Sequence, residues 1–273
     1  MLEARELDHI ASQVWSAHKS VRQIAPFSQG VAAFDLPSAY AVARRVHDRR
    51  MAEGAVPVGR KIGFTNADMW RIYGVRDPIW AYVYDQTVVS FDTGEGTCRI
   101  GPFAEPKIEP EIVFHFRTQP PVGSDLRALL ASIDWVAHAF EVVQSHFPGW
   151  AFQAADTVAD GSLHGSLLLG PPVPIAQLGE AAQEALASFT VTLACDGAVR
   201  EVGTGANVLG SPLRALAQLT EVLATQQDAV PLQAGELVTT GTLTRAYALA
   251  PGQTWTTALQ GIPLPGLTVR FER

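Results

Sequence analysis

Two glutamates, Glu109 and Glu111, stand two residues apart in the run KIEPEIVFHF, and a third, Glu141, lies in WVAHAFEVVQSHF. Both runs are apolar and rich in Val, Ile and Phe, which favours extended strands. A strand turns residues i and i+2 to one face, so Glu109 and Glu111 share a side. Acids in apolar surroundings resist ionisation and repel one another, so a fold must expose them to water or supply positive charge. A hard divalent cation meets that demand because it prefers oxygen ligands. The alternative is a solvated strand face, with Pro110, Ile112, Phe114 and Phe116 packing elsewhere. Glu141 favours the cation, since Trp135, Val136, Ala137, Ala139, Phe140, Val142 and Val143 leave little room for a casual charge.

The 273-residue chain is 47% hydrophobic and 17% charged, which supports one large core or a core plus a small lobe. A net charge of −7 opposes nucleic-acid binding, which rests on basic residues neutralising phosphates. The one basic cluster, Arg44, Arg45, His47, Arg49 and Arg50, has Asp48 and Glu53 beside it and reads as a solvated helix face. Cys98 and Cys195 make neither a disulfide framework nor a thiolate metal site. The opening MLEARELDHIASQVW is charged and lacks a long apolar run, so no signal peptide or membrane span is expected. A cytoplasmic location follows as an expectation.

Apolar residues at Leu7, Ile10, Ala11, Val14 and Trp15 predict a helix over 2–19, and Ser38 is read as the N-cap of a second that stops before Gly54. Residues 56–66, VPVGRKIGFTN, read as a strand ending in a turn. Ser124 is expected to cap a short helix ahead of the Glu141 strand, and another helix is expected over 175–186. Asp196-Gly197 suits a tight turn between two strands, and Ser211-Pro212 opens a helix in the favoured N-cap and N1 order. ELVTTGTLT and GLTVRFE close the chain as strands. Helices flanking strands of mixed spacing indicate an α+β protein.

Six segments carry a resemblance: GRKIGFTN at 59–66, KIEPEIVF at 107–114, AFEVVQS at 139–145, DTVAD at 156–160, VLGSPLRALAQL at 208–219 and GELVTTGTLTRAYALAPG at 235–252. In that order they resemble the fumarylacetoacetate hydrolase superfamily, in its branch of 2-keto-4-pentenoate hydratases and 4-oxalocrotonate decarboxylases. The resemblance implies a layered β-roll with peripheral helices, the catalytic domain covering 61–273 after a mainly helical region over 1–60. It implies that Glu109, Glu111 and Glu141 bind Mg²⁺ or Mn²⁺, with Lys61 reaching into the same site. The implied activity is a lyase hydrating 2-hydroxy-2,4-dienoic or 2-oxo-enoic acids in aromatic-compound catabolism. Decarboxylation of an oxalocrotonate and C–C hydrolysis of an acylpyruvate are the alternatives, and a silent metabolite-binding protein is the non-enzymatic one. Hydrolases of the superfamily carry a His-Glu pair on an N-terminal lid, and no such pair is evident before Lys61. Expected partners are a small 2-oxo acid and further copies of the chain, as a dimer or larger ring, with a pathway enzyme as a further candidate. Two segments depart from the hydratase pattern, 161–165 and 145–150, and both are expected near the substrate.

Lys61 is the leading proton-transfer candidate, because burial near a cation lowers a lysine pKa; a lysine covering a strand edge is the plainer alternative. Asp77 in GVRDPIW is the second catalytic candidate, although an Asp before Pro78 also forms turns. Ser162 and His164 are candidate substrate contacts, His164 being equally readable as a satisfied core histidine. Thr240 and Thr242 offer hydroxyls for a substrate carboxylate or tail. His115 and His138 are read as structural.

Overall fold

The computed structural model describes residues 2–66, 70–71, 74–123 and 125–273. Three helices open the chain: α1 (Ala4–Ser20), the single turn α2 (Phe27–Gly30) and α3 (Leu36–Ala52). Asp35, not Ser38, caps α3: its carboxylate accepts from the Ser38 amide at 2.9 Å, with Pro37 in the first turn. The basic cluster on α3 is not a free solvated face. Arg45 pairs with Asp8, Arg49 donates to Ser12 Oγ, and His47 stacks on Tyr82 at 3.9 Å.

The strands follow as β1 (Pro57–Gly63), β2 (Ile79–Tyr84), β3 (Val88–Ser90), β4 (Glu95–Arg99), β5 (Lys107–Phe116), β6 (Ile133–Val143), β7 (His164–Leu169) and β8 (Val173–Pro174). After them come β9 (Thr190–Cys195), β10 (Ala198–Thr204), β11 (Leu237–Thr239), β12 (Tyr247–Ala248), β13 (Thr254–Gln260) and β14 (Thr268–Glu272). Among the described residues, nine strands form one sheet with the spine β2-β1-β11-β5-β6-β7-β3, and five form a second in the order β10-β9-β13-β14-β4. Pairing is mostly antiparallel, with parallel contacts at β1–β11, β3–β7 and β14–β4, which is the mixed pattern of an α+β fold. Gly59 permits the β1–β11 contact: a Cβ there would lie 1.9 Å from the Leu237 carbonyl oxygen.

Among the described residues, the later helices include α4 (Leu126–Ser132), α5 (Ala154–Ala159), α6 (Ala182–Ser188) and α7 (Pro212–Thr225). Ser124 lies outside the described residues; Asp125 caps α4 through the amides of Arg127 and Ala128. The helix expected over 175–186 is broken, because Gly179 has φ +70° and separates a 3₁₀ turn, Ile175–Leu178, from α6. Helix α7 buries Leu213, Leu216 and Leu219 against a core that includes Ile112, Phe114 and Val238 of the large sheet. The N-terminal helices form another core with α5, where Leu7, Ile10, Val14, Val42 and Val46 meet Val158 and Phe147. Among the described residues, no helix is long and apolar enough to cross a membrane.

Candidate metal centre

Five neighbouring strands supply one face. β5 and β6 are the two longest strands, and their antiparallel register sets Glu109 directly opposite Glu141 and Lys107 opposite Val143. Glu111 lies two residues along β5 on the same side. Lys61 comes from β1, three strands from β6. In a flat sheet that separation is about 14 Å, so the Lys61 Nζ–Glu141 Oε2 distance of 2.9 Å requires the sheet to curl around the group. On the far side a register shift in β6–β7 pairs Val143 with His164, and this bulge brings the His164 ring onto the Glu141 face.

The three carboxylates each present an oxygen within 4.8 Å of the others. Glu111 and Glu141 are fully buried, and Glu109 is part-buried. One oxygen of Glu111, Oε2, accepts from Thr239 Oγ1 and from the Gly241 amide at 2.8 Å. Its other oxygen, Oε1, is buried with no hydrogen-bond partner. A buried carboxylate oxygen left bare costs free energy unless a cation takes it up. Three converging hard donors, one of them bare, fit a hard divalent cation. Sequence reasoning picked Thr240 and Thr242 and missed Thr239. Alternation along ELVTT was the available signal, since Thr239 pairs with Lys61 and shares its face.

The charges are unequal. Burial pushes Glu109 up to about 7, with Lys61 opposing and Glu141 adding. Burial, then Glu141 and Glu109, hold Glu111 well above the usual carboxylate value. Burial also raises Glu141, yet Lys61 and His164 pull it below that value. Lys61 answers to the same three acids. Burial lowers its pKa, but the attraction of Glu141, Glu109 and Glu111 outweighs burial and leaves it raised.

His164 Nδ1 donates to Glu141 Oε1 at 2.7 Å, and Nε2 stands 2.9 Å from Thr87 Oγ1. Burial lowers the His164 pKa while Glu141 opposes it, and Thr87 Oγ1 also donates to the Tyr84 carbonyl at 2.9 Å. Ser162 Oγ donates to the Trp80 carbonyl, Thr240 Oγ1 to Ile112 and Thr242 Oγ1 to Thr244. Each hydroxyl has one proton and spends it there. Asp77 is exposed in the bend before β2, and among the described residues no hydrogen bond or ion pair ties it to the carboxylates.

The segment over 145–150 divides. His146 and Phe147 are buried, Phe147 among the N-terminal helices, while Trp150 turns back over Lys107. His146 Nδ1 donates to Asp160 at 2.8 Å, His18 Nε2 donates to the same carboxylate at 2.7 Å, and the two rings stack at 4.6 Å. Arg50 donates to His18 Nδ1, which fixes that tautomer. His115 stacks on Trp135, and His138 bridges the Glu111 carbonyl and Thr257, as structural residues do.

A family model described as fumarylacetoacetate (FAA) hydrolase C-terminal matches residues 76–269. The chain is 30% identical over 262 residues to the 2-keto-4-pentenoate hydratase of Paraburkholderia xenovorans (strain LB400), covering 94% of this chain and 93% of that one. It is 29% identical over 256 residues to the 4-oxalocrotonate decarboxylase of Pseudomonas sp. (strain CF600), covering 93% and 92%. The solved structure of 4-oxalocrotonate decarboxylase from Pseudomonas putida G7, complexed with magnesium and adipate, is similar with a TM-score of 0.88 and 28% identity over 99% of each chain.

Proposed function

Because the chain belongs to the fumarylacetoacetate hydrolase family, we propose that it is a divalent-metal-dependent lyase that hydrates small 2-hydroxydienoic or 2-oxo-enoic acids. The observation that carries this reading is the convergence of Glu109, Glu111 and Glu141 beside a buried Lys61. Relatives named as hydratases and decarboxylases across nearly the whole chain support it. Magnesium or manganese, when bound by the three carboxylates, supplies a Lewis acid for charge developing on a 2-oxo oxygen.

The residues of the chain do the rest. The Thr239 hydroxyl and Gly241 amide hold one Glu111 oxygen, leaving the other for the cation. His164 and Lys61 grip opposite oxygens of Glu141 and fix its plane. Lys61, its Nζ 2.9 Å from Glu141 Oε2, is the group that holds a proton beside the cation and enters the reaction as an acid. Asp77 is the second proton-handling group, carried on its bend beside β2. Ser162, Thr240 and Thr242 keep oxygen lone pairs that can accept from a substrate hydroxyl or water. In this reading residues 61–273 are the catalytic body, residues 1–60 brace it, and the protein works as a cytoplasmic homo-oligomer.

Decarboxylation of a 4-oxalocrotonate-type acid is the second reading. It is favoured by the likeness to the decarboxylase complexed with magnesium and adipate, a diacid. Incubating the protein with Mg²⁺ and either 2-hydroxypenta-2,4-dienoate or 4-oxalocrotonate separates the two: water uptake marks the hydratase, carbon dioxide release the decarboxylase. Turnover of neither acid with Mg²⁺ or Mn²⁺ would end both.

A further inference from the structure

The three residues between Asp160 and His164 all lie in the left-handed backbone region, with φ of 64° at Gly161, 51° at Ser162 and 65° at Leu163. Only glycine enters that region without cost, so the serine and the leucine are held there by their surroundings. The holds are visible. The Leu163 amide donates to the Asp160 carbonyl at 3.2 Å, and the Leu163 carbonyl accepts from the Gln144 amide at 2.9 Å. Ser162 Oγ donates to the Trp80 carbonyl at 3.0 Å. Asp160 is itself clamped: its carboxylate accepts from His18 Nε2 at 2.7 Å, from His146 Nδ1 at 2.8 Å and from the His146 amide at 3.2 Å. Arg50 of α3 donates to the other nitrogen of His18 at 2.9 Å.

The turn decides where His164 points. β7 leaves it through a bulge in which Val142 pairs with Ser166 and Val143 with His164, so that Gly165 is passed over. In regular pairing Val143 would face Gly165, and His164 would share the face of Ser166 and Val142, away from Glu141. The bulge instead sets the His164 ring on Glu141, with Nδ1 2.7 Å from Oε1. Gly165 makes it possible, because a Cβ there would lie 2.6 Å from the Val142 carbonyl oxygen.

We propose that His18 of α1 is a positioning residue for the metal centre: it holds Asp160, Asp160 holds the left-handed turn, and the turn holds His164 against Glu141. The effect on metal affinity rests on the reading of Glu109, Glu111 and Glu141 as ligands, whereas the positioning of His164 does not. His18 acts through the backbone of residues 160–164, since its own hydrogen bond goes to Asp160.

Four variants of the full chain test this. His18→Leu removes the donor to Asp160, and His18→Gln keeps one in its amide nitrogen. Asp160→Asn weakens the clamp from its other side. Leu7→Ala loosens the packing of α1 about three helical turns from His18 and serves as the control. Imidazole ¹⁵N spectra of the metal-free protein follow His164, and calorimetric titration with Mg²⁺ follows the carboxylates. His18→Leu and Asp160→Asn shift the His164 signal and weaken Mg²⁺ binding about two- to thirty-fold. His18→Gln restores most of both, while Leu7→Ala lowers Tm and moves neither. In a His164→Ala background, His18→Leu costs no further metal affinity, because both act through one contact. An unmoved His164 signal in His18→Leu, an equal change in Leu7→Ala, or additive losses in the double variant would overturn the proposal. If wild type binds neither Mg²⁺ nor Mn²⁺, the metal reading falls, and the His164 signal alone decides the role of His18.

Discussion

Glu109 and Glu141 are register partners across the β5–β6 ladder, two acids set directly opposite one another in the interior of a sheet. Like charges so placed destabilise a strand pair. Their surroundings drive them apart in acidity, since burial raises Glu109 to about 7 while Lys61 and His164 hold Glu141 below its ordinary value. The arrangement is stable where a proton or a cation joins the pair.

The first expectation concerns pH. Glu109 and Glu111 are raised in the folded state, so their contribution to stability is present below the unfolded value of about 4.5 and is lost as pH rises through the folded value, about 7 for Glu109. Binding of Mg²⁺ gives back what is lost. The rise in Tm on adding Mg²⁺ is therefore larger at about pH 8 than at about pH 5.5, and Glu111→Gln shrinks both the rise and its pH dependence. Calorimetry with EDTA and with excess Mg²⁺ checks this; a rise independent of pH would contradict it.

Lys61→Met is expected to lower kcat by about 10²–10⁴-fold while Mg²⁺ binding persists or tightens, because a cation competing for Glu141 is gone. Steady-state rates and metal titration on one preparation give both numbers. If metal affinity collapses with the rate, Lys61 positions Glu141 and transfers no proton.

His164→Ala is expected to weaken Mg²⁺ binding about 10–100-fold, the usual cost of removing a side chain that orients a metal ligand. Rates at saturating Mg²⁺ then recover most of the wild-type value. A loss in substrate KM with no change in metal affinity would instead make His164 a substrate contact.

That Glu109 and Glu111 share a face was legible because a spacing of two in a strand allows nothing else, while their joining Glu141 came from the family resemblance; strands β5, β9, β10 and helix α7 followed from alternation and turn residues. What sequence concealed was contact between distant segments. Nothing local says that a bulge turns His164 toward Glu141, or that α1 supplies His18 to a carboxylate 142 residues away. The charges around Lys61 are hidden for the same reason: burial is a local inference, whereas the attraction that opposes it comes from three residues on two other strands. Ser38 and Asp35 both suit an N-cap, and Pro37 at the start of α3 settles the choice in favour of Asp35.

Asp160→Asn tests the buried His18–Asp160–His146 group. Burial raises Asp160, but hydrogen bonds from His146 and His18 prevail and hold it at about 2. Its stabilisation is present above the unfolded value of about 3.9 and is lost as pH falls toward 2. The variant is expected to be about 3 kcal/mol less stable at pH 7 and to show a shallower decline between about pH 4 and pH 2. Chemical denaturation across that range measures both; parallel curves for variant and wild type would refute the assignment.

The acids ride on β5 and β6, an inner pair that has β11 on one flank and β7 on the other. Backbone amides so enclosed exchange with solvent hydrogen only when much of the molecule opens, whereas edge strands such as the three-residue β3 open alone. The three acids therefore share the slowest clock in the protein. The three carboxylates keep their places while edges and loops open around them.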